Sequence, residues 1–378
     1  MSKGNSSRPM VFSVQSLEQV ETNIQEALRQ GITPTLAIVF CSVVYPLEKI
    51  RILFNRYNID LFGASSSGEI ANCKAYEESI AVMLLNIDPK VYKLSVFDAR
   101  GMTSYRVGQD VADWATTAYE KPALMVTSAG LHADGEQIVH GIIDKVGYQV
   151  PLFGGLAGDD LRMHETFVFS TSQVISNGVV ALVFDRNAIE LYGTAVSGWR
   201  GIGTPKTITK AEGNVVYMID NQPALDVYRK YLGVTGSSSD HTLAAEYPLL
   251  LERDDGSSVL RAAMLVNGDK SMVYAGTMPE GARVQFSMPP GFEIVEYAIE
   301  QLSVFNKQIS EADAMVLFSC KARHLVLGPM VEDELSGICK LWNVPLVGFF
   351  TYGEIGPNAG GKCDFHNDTL SLVLIQGR

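Results

Sequence analysis

The feature that most constrains this chain is a triple recurrence: an apolar, strand-like run passes into small residues and ends in glycine followed by an acid. "LFGASSSGEI" occupies 61–70, "LFGGLAGDD" 152–160 and "LVGFFTYGEIG" 346–356, with junctions Gly68-Glu69, Gly158-Asp159 and Gly353-Glu354. The same order of elements surrounds each corner. "TLAIVFCS" (35–42) is an apolar run of buried-strand length, followed by Leu47, Ile50, Phe54 and Tyr57 at helical spacing. Beyond the first corner "SIAVMLLN" (79–86) is another buried strand, so the unit reads β-α-β-β. A second copy runs from "ALMVTSAG" (123–130) through a helix with Ile138, Val139, Ile142, Ile143 and Val146 on one face, the second corner, and strands near 166–170 and 178–185. A third runs from "AMVLFSC" (314–320) through a helix bearing Leu335, Ile338 and Leu341 to the third corner and "TLSLVLI" (369–375).

Three unevenly spaced copies do not make a solenoid; duplication of a domain core accounts for them better. Between the second and third copies lie strand-like "PLLLER", "RAAMLV" and "MVYAGTM", a helix around "PALDVYRKYLG", and a helix opened by Pro289 and Pro290 with Phe292, Val295, Ile299 and Leu302 on one face. The 378 residues suit two or three domains, and two are expected, divided in the glycine-rich "GWRGIGTPKT" (198–207). With 47% apolar and 19% charged residues the chain can bury a large core. The expected fold class is α/β: two domains of repeated β-α-β-β units, with mixed β-sheets covered by helices.

Charge and cysteine usage narrow the function. A net charge of −12 without a basic run disfavours nucleic acid and membrane surfaces as partners. No stretch approaches a membrane span and "MSKGNSSRP" lacks the apolar run of a signal peptide, so a cytoplasmic location is expected. Cys41, Cys73, Cys320, Cys339 and Cys363 are scattered and contain no C-x-x-C, which points to reduced thiols rather than a disulfide framework or a zinc ribbon. Neither a phosphate-binding loop nor metal-ligand spacing is present.

"GIGTPKTITKAEGNVVYMIDNQPALDVY" resembles the entry to a FIST C-terminal domain, and "SCKARHLVLG…VPLVGFFTYGEIGP" its closing signature. "LFGASSSGEI" and "PLFGGLAGDD" resemble the FIST N-terminal domain. On that resemblance residues 1–10 are a disordered tail, 11–204 the FIST N-terminal domain and 205–378 the FIST C-terminal domain. It implies a bacterial sensory module that binds a small ligand and works with a histidine kinase or a cyclic-di-nucleotide enzyme. A NosP-type subset of such proteins binds haem and senses nitric oxide, and this free-standing two-domain chain resembles that subset.

The residues supply candidates for such a site. Glycine lets backbone N–H groups approach a ligand, while Ser65, Ser66, Ser67, Thr351 and Tyr352 supply hydroxyls beside Glu69 and Glu354. The plain alternative is a set of hairpin turns whose acids stay in water. Aligning "VTSAGLHADGEQ" with "LFSCKARHLVLG" through Ser128 and Ser319 puts His132 opposite Arg323, both beyond a strand's carboxyl end, where open α/β sheets leave a crevice. Arg323 is suited to gripping a carboxylate, a haem propionate or a phosphate; pairing with Glu332 or Glu334 is the alternative. Haem requires an apolar pocket and an axial ligand. His140 on a polar helix face, His241 in "GSSSDH" and His366 in a loop before the last strand are set aside, leaving His132, His164 and His324 as iron-ligand candidates.

"ASSSG" differs from a nucleophile elbow by Ala64, with Ser66 as the nucleophile of a serine hydrolase-like enzyme. No helix begins at that serine, and catalysis is not expected. The reading is therefore a cytoplasmic sensor that works by binding, with haem and nitric oxide as the first ligand. An amino acid or other small carboxylate is the alternative, and a ligand-free scaffold the third. Occupancy would shift the two domains for a partner to read; a homodimer is left open.

Overall fold

The computed structural model describes residues 8–233, 247–253, 256–358 and 360–378; His241 and the first seven residues of the expected tail lie outside them. The remainder of that tail is ordered, because Met10 already opens the first strand.

The first unit comprises β1 (Met10–Val14), α1 (Leu17–Arg29), β2 (Leu36–Cys41), α2 (Leu47–Arg56), β3 (Asp60–Ser65), a hairpin of β4 (Glu69–Ala71) and β5 (Lys74–Tyr76), and β6 (Ile80–Leu85). The second repeats this order as β7 (Tyr92–Asp98), α3 (Ser104–Ala118), β8 (Pro122–Ser128), α4 (Gly135–Val146), β9 (Leu152–Leu156), hairpin β10 (Val168–Ser170) and β11 (Val174–Ile175), and β12 (Gly178–Asp185). The third opens with β13 (Ile189–Val196). An insertion then supplies β14 (Arg200–Glu212), β15 (Val215–Ile219), β16 (Gln222–Pro223), α5 (Ala224–Leu232), β17 (Leu249–Glu252), β18 (Ser258–Arg261), β19 (Ala263–Val266), β20 (Met272–Tyr274) and β21 (Arg283–Met288). The third unit resumes with α6 (Glu293–Gln308), β22 (Ala314–Cys320), α7 (Lys321–Leu327), α8 (Val331–Trp342), β23 (Leu346–Thr351), hairpin β24 (Glu354–Pro357) and β25 (Cys363–His366), and β26 (Leu370–Gly377).

The expected strands and helices are present, and each unit carries an additional strand and helix ahead of the β-α-β-β core. Apolar runs fix the central strands: every residue of β2, β6, β8, β22 and β23 is buried. Amphipathic helices cover them, as α1 does with Val20, Ile24 and Ala27 inward and a Ser16 cap at its start. The fold is α/β with mixed sheets, since β2–β3, β8–β9 and β22–β23 are parallel and their other neighbours antiparallel.

The hairpins do not stay with their own units. The first sheet runs β1-β6-β2-β3-β10-β11, the second β7-β12-β8-β9-β24-β25 and the third β13-β26-β22-β23-β4-β5. The first unit therefore gives its hairpin to the third, the third to the second and the second to the first. The exchange closes a three-membered ring around one apolar interior, where Phe40 lies 4.3 Å from Phe349 and 6.0 Å from Phe318, ring centre to ring centre. The boundary drawn at 204/205 falls inside β14, and "GWRGIGTPKT" is largely a strand of the inserted fourth sheet, β18-β17-β21-β14-β15-β20-β19 with β16 beside β15. In α6 the inward residues are Ile294, Ala298 and Leu302, whereas Phe292 is 81% exposed, because the helix begins one residue after it and sets a different face toward the core.

Cys73 and Cys339 form a disulfide, with Cα atoms 6.0 Å apart, where reduced thiols had been expected. Hairpin exchange is the reason: Cys73, in the turn of the donated β4–β5, lands beside α8, although 266 residues separate the pair in sequence. Cys41, Cys320 and Cys363 are free and buried.

Candidate functional site

The three glycine corners are the places where the chain leaves one sheet for another, and backbone bonds lace them together. Ser67 N–H donates to Phe350 O (3.0 Å), Gly158 N–H to Ser65 O (3.0 Å) and Leu156 N–H to Gly353 O (2.8 Å). Gly68 has a φ of 106°, which favours glycine. Gly158 is required by proximity instead, since a Cβ there would stand 2.5 Å from Ser67 Oγ.

Contrary to turns with acids in water, Glu69, Asp159 and Glu354 are all buried. Hairpin exchange covers each corner with a neighbouring unit, so each carboxyl must find donors inside the protein. Glu69 succeeds. Ser66 Oγ donates to Oε1, and Ser79 donates to Oε2 through its N–H (2.9 Å) and its hydroxyl (2.7 Å). Burial nonetheless raises its pKa to about 7, against the lowering by those bonds. Asp159 binds the loop that follows it: Oδ1 accepts from Tyr352 Oη (2.6 Å) and Met163 N–H (3.1 Å), and Oδ2 from His164 N–H (2.7 Å) and Glu165 N–H (3.1 Å). Tyr352 Oη in turn accepts from Leu161 N–H (2.9 Å).

Glu354 is incompletely satisfied. Thr351 Oγ1 donates to Oε1, but Oε2 and both oxygens of buried Asp368 meet no donor in hydrogen-bond geometry among the described residues. Burial pushes both acids well above the usual carboxylate range; Asp368 raises Glu354 further, opposed by Thr351, the Thr369 N–H and Cys320, while Arg323 partly lowers Asp368.

A cavity of about 70 Å³ opens against this third corner. Its polar wall carries Cys320, Lys321, Thr351, Tyr352 and Asn367; Leu161 and Met163 come from the second corner's loop and Met264 from the inserted sheet. Lys321 is only 7% exposed, and burial lowers its pKa, opposed by Glu77, whose carboxylate lies 3.5 Å from Nζ. His324 Nδ1 lies 3.2 Å from the same ammonium.

The site candidates are thus separated by the fold. Tyr352 lines the cavity, Glu354 lies behind Thr351, and Ser66 and Glu69 form the closed first corner. Arg323 is fully buried and committed: Nε and Nη2 donate to Glu334, Nη1 to Ser197 O, and the guanidinium stands 5.6 Å from the Trp199 ring. Glu332 instead accepts from Ala75 N–H. His132 and His164 are exposed on loops. His324 stacks on Phe350, centroids 3.9 Å apart, and burial lowers its pKa to about 4. His366 lies at the end of β25 rather than in a loop, buried and 3.0 Å from Gly356 O through Nε2.

Lys321 is the residue that sequence reasoning passed over. The signal was available, because Arg323 and Leu327 are four apart on a helix and Leu327 is a core residue, so Arg323 turns inward and Lys321 elsewhere. Asp368 gave no such signal.

The FIST N domain model matches residues 35–222 and the FIST C domain model residues 224–357. The chain belongs to the FIST family. Its domains are those of signal-transduction sensors. An uncharacterized protein of Mycobacterium bovis is 25% identical over 238 residues, covering 59% of each chain. One from Methanocaldococcus jannaschii is 27% identical over 232 residues, 55% of this chain and 42% of that protein. The FIST chain thus spans less than two thirds of the length of these relatives. Among the described residues no helix is long and apolar enough to cross a membrane.

Proposed function

We propose that this FIST protein is a cytoplasmic sensor that takes a small carboxylate-bearing molecule of the amino-acid class into the cavity over the third corner. The observation that carries the reading is Lys321, a nearly buried lysine among the residues that line a cavity otherwise edged by hydroxyl, amide, thiol and apolar groups. A carboxylate exchanged for the exposed Glu77 would gain a charge-assisted bond in a less screened place. Asn367 is in the same wall to orient the rest of the ligand, while the hydroxyls of Tyr352 and Thr351 are held by Asp159 and Glu354. Because the lining comes from the third unit, the second corner's loop and the insertion, occupancy favours one relative placement of these parts. A partner histidine kinase or cyclic-di-nucleotide enzyme would read that placement.

Binding rather than turnover is supported by Ser66, whose hydroxyl is held by Glu69 and which no helix follows. Haem with nitric oxide ranks below the carboxylate reading. An axial histidine needs a ring nitrogen directed into an apolar space, whereas His132 and His164 face water and His324 lies flat on Phe350.

The test is a thermal-shift and calorimetric screen of amino acids and short carboxylates, repeated with Lys321→Met. A ligand at about 100 times its Kd adds about 2.7 kcal/mol of stability in the wild type, and the variant loses that gain. A stoichiometric Soret band that moves with nitric oxide, together with no carboxylate binding, would replace this reading with the haem one.

A further inference from the structure

The end of β13 and the residues following it, the exposed side of α6 and strand β18 of the insertion border a second, open cavity of about 520 Å³, which shares no lining residue with the one over the third corner. Its volume is in the range of small-molecule sites. Helix α6 presents Tyr297, Gln301, Phe305 and Gln308 to it, at steps of four, four and three residues, so they form one stripe distinct from the inward Ile294, Ala298 and Leu302. Trp199 stands in the same wall, 8% exposed, with its indole N–H lacking an acceptor among the described residues.

We propose that this cavity binds an uncharged planar heterocycle of nucleobase size. Three observations lead there. Among the described residues none that lines it is Asp, Glu, Lys or Arg, so an ionic ligand would lose its hydration without a counter-charge from them. Aromatic side chains offer faces on which a flat ring stacks. The amides of Gln301 and Gln308 each present a donor beside an acceptor, the pattern that matches the edge of a nucleobase.

Trp199 is one of three tryptophans, with Trp114 and Trp342, so its fluorescence can be isolated by comparison with Trp199→Phe. The full chain is titrated with adenine, guanine, uracil and their nucleosides, and with adenosine monophosphate. At least one base and its nucleoside are expected to quench Trp199 saturably below about 1 mM, with the monophosphate at least tenfold weaker. Tyr297 and Gln301 are exposed, so Tyr297→Ala and Gln301→Leu leave the core intact; each is expected to weaken binding about tenfold. The inference is overturned if calorimetry finds no base or nucleoside bound below 1 mM, if the monophosphate binds as tightly as the nucleoside, or if both variants keep wild-type affinity. Lys321→Met should leave this binding unchanged, which separates it from the carboxylate site.

Discussion

The first and third corners share a hydroxyl residue three positions before a glutamate, Ser66 with Glu69 and Thr351 with Glu354, and each sends its hairpin into another sheet. They differ in what surrounds the acid. Ser79 closes the first corner with two further donors, while the third faces a second buried acid, Asp368, and backs onto a cavity. Duplication thus preserved the backbone path and one hydrogen bond, and the unsatisfied charge chemistry collected where three parts of the chain meet. Incomplete satisfaction of a buried polar group is where function is most economically sought.

The largest way to break the contrast is through the third corner's support. Arg323→Met removes the cation paired with Glu334 and leaves that buried carboxylate unpaired, so a loss of about 3–5 kcal/mol is expected in urea unfolding. Glu69→Ala should cost about 3 kcal/mol, because it strands the Ser66 hydroxyl and both Ser79 donors. Opening the Cys73–Cys339 disulfide with a dithiol frees the first corner's hairpin from α8; unfolding with and without reductant should differ by about 2–4 kcal/mol, and Cys73→Ser should abolish the difference.

The acid titration sharpens the comparison. A carboxyl whose folded pKa is raised binds its proton more tightly in the native state, so its contribution to stability is greatest below about 4.5 and falls as pH rises toward about 7 for Glu69. The slope of stability against pH in that window should reach at most about 1.4 kcal/mol per unit from this group and shrink in Glu69→Gln. Glu354→Gln gives the smallest effect, within about 1 kcal/mol at pH 7, because the amide removes a charge that burial already disfavours; a loss like that of Glu69→Ala would show that Glu354 is ionised and fully paired.

Much of the fold was legible. Runs such as "LAIVFC" and "AMVLFSC" are buried along their whole length because sheets covered on both faces need such runs. The corners were recognised as special, and their glycines serve a positive φ at Gly68 and a close approach at Gly158. The destination of each hairpin was not legible. A strand's sequence states which of its faces is apolar but not which edge it joins, and short strands such as β4 and β10 carry too few residues to specify a partner. The disulfide escaped for the same reason, as it follows from the exchange alone.

By itself, then, the sequence determined the elements, their threefold order and the family, because these follow from local periodicity and from residues at fixed spacing. Tertiary structure decided the chemistry of each corner. Whether two cysteines meet and whether a lysine borders a cavity depend on groups far away in the sequence, 266 residues for Cys73 and Cys339, brought near by pairings that no local pattern encodes. Even Glu69 and Arg323 depend on the chain turning back to bring Ser79 and Glu334 to them.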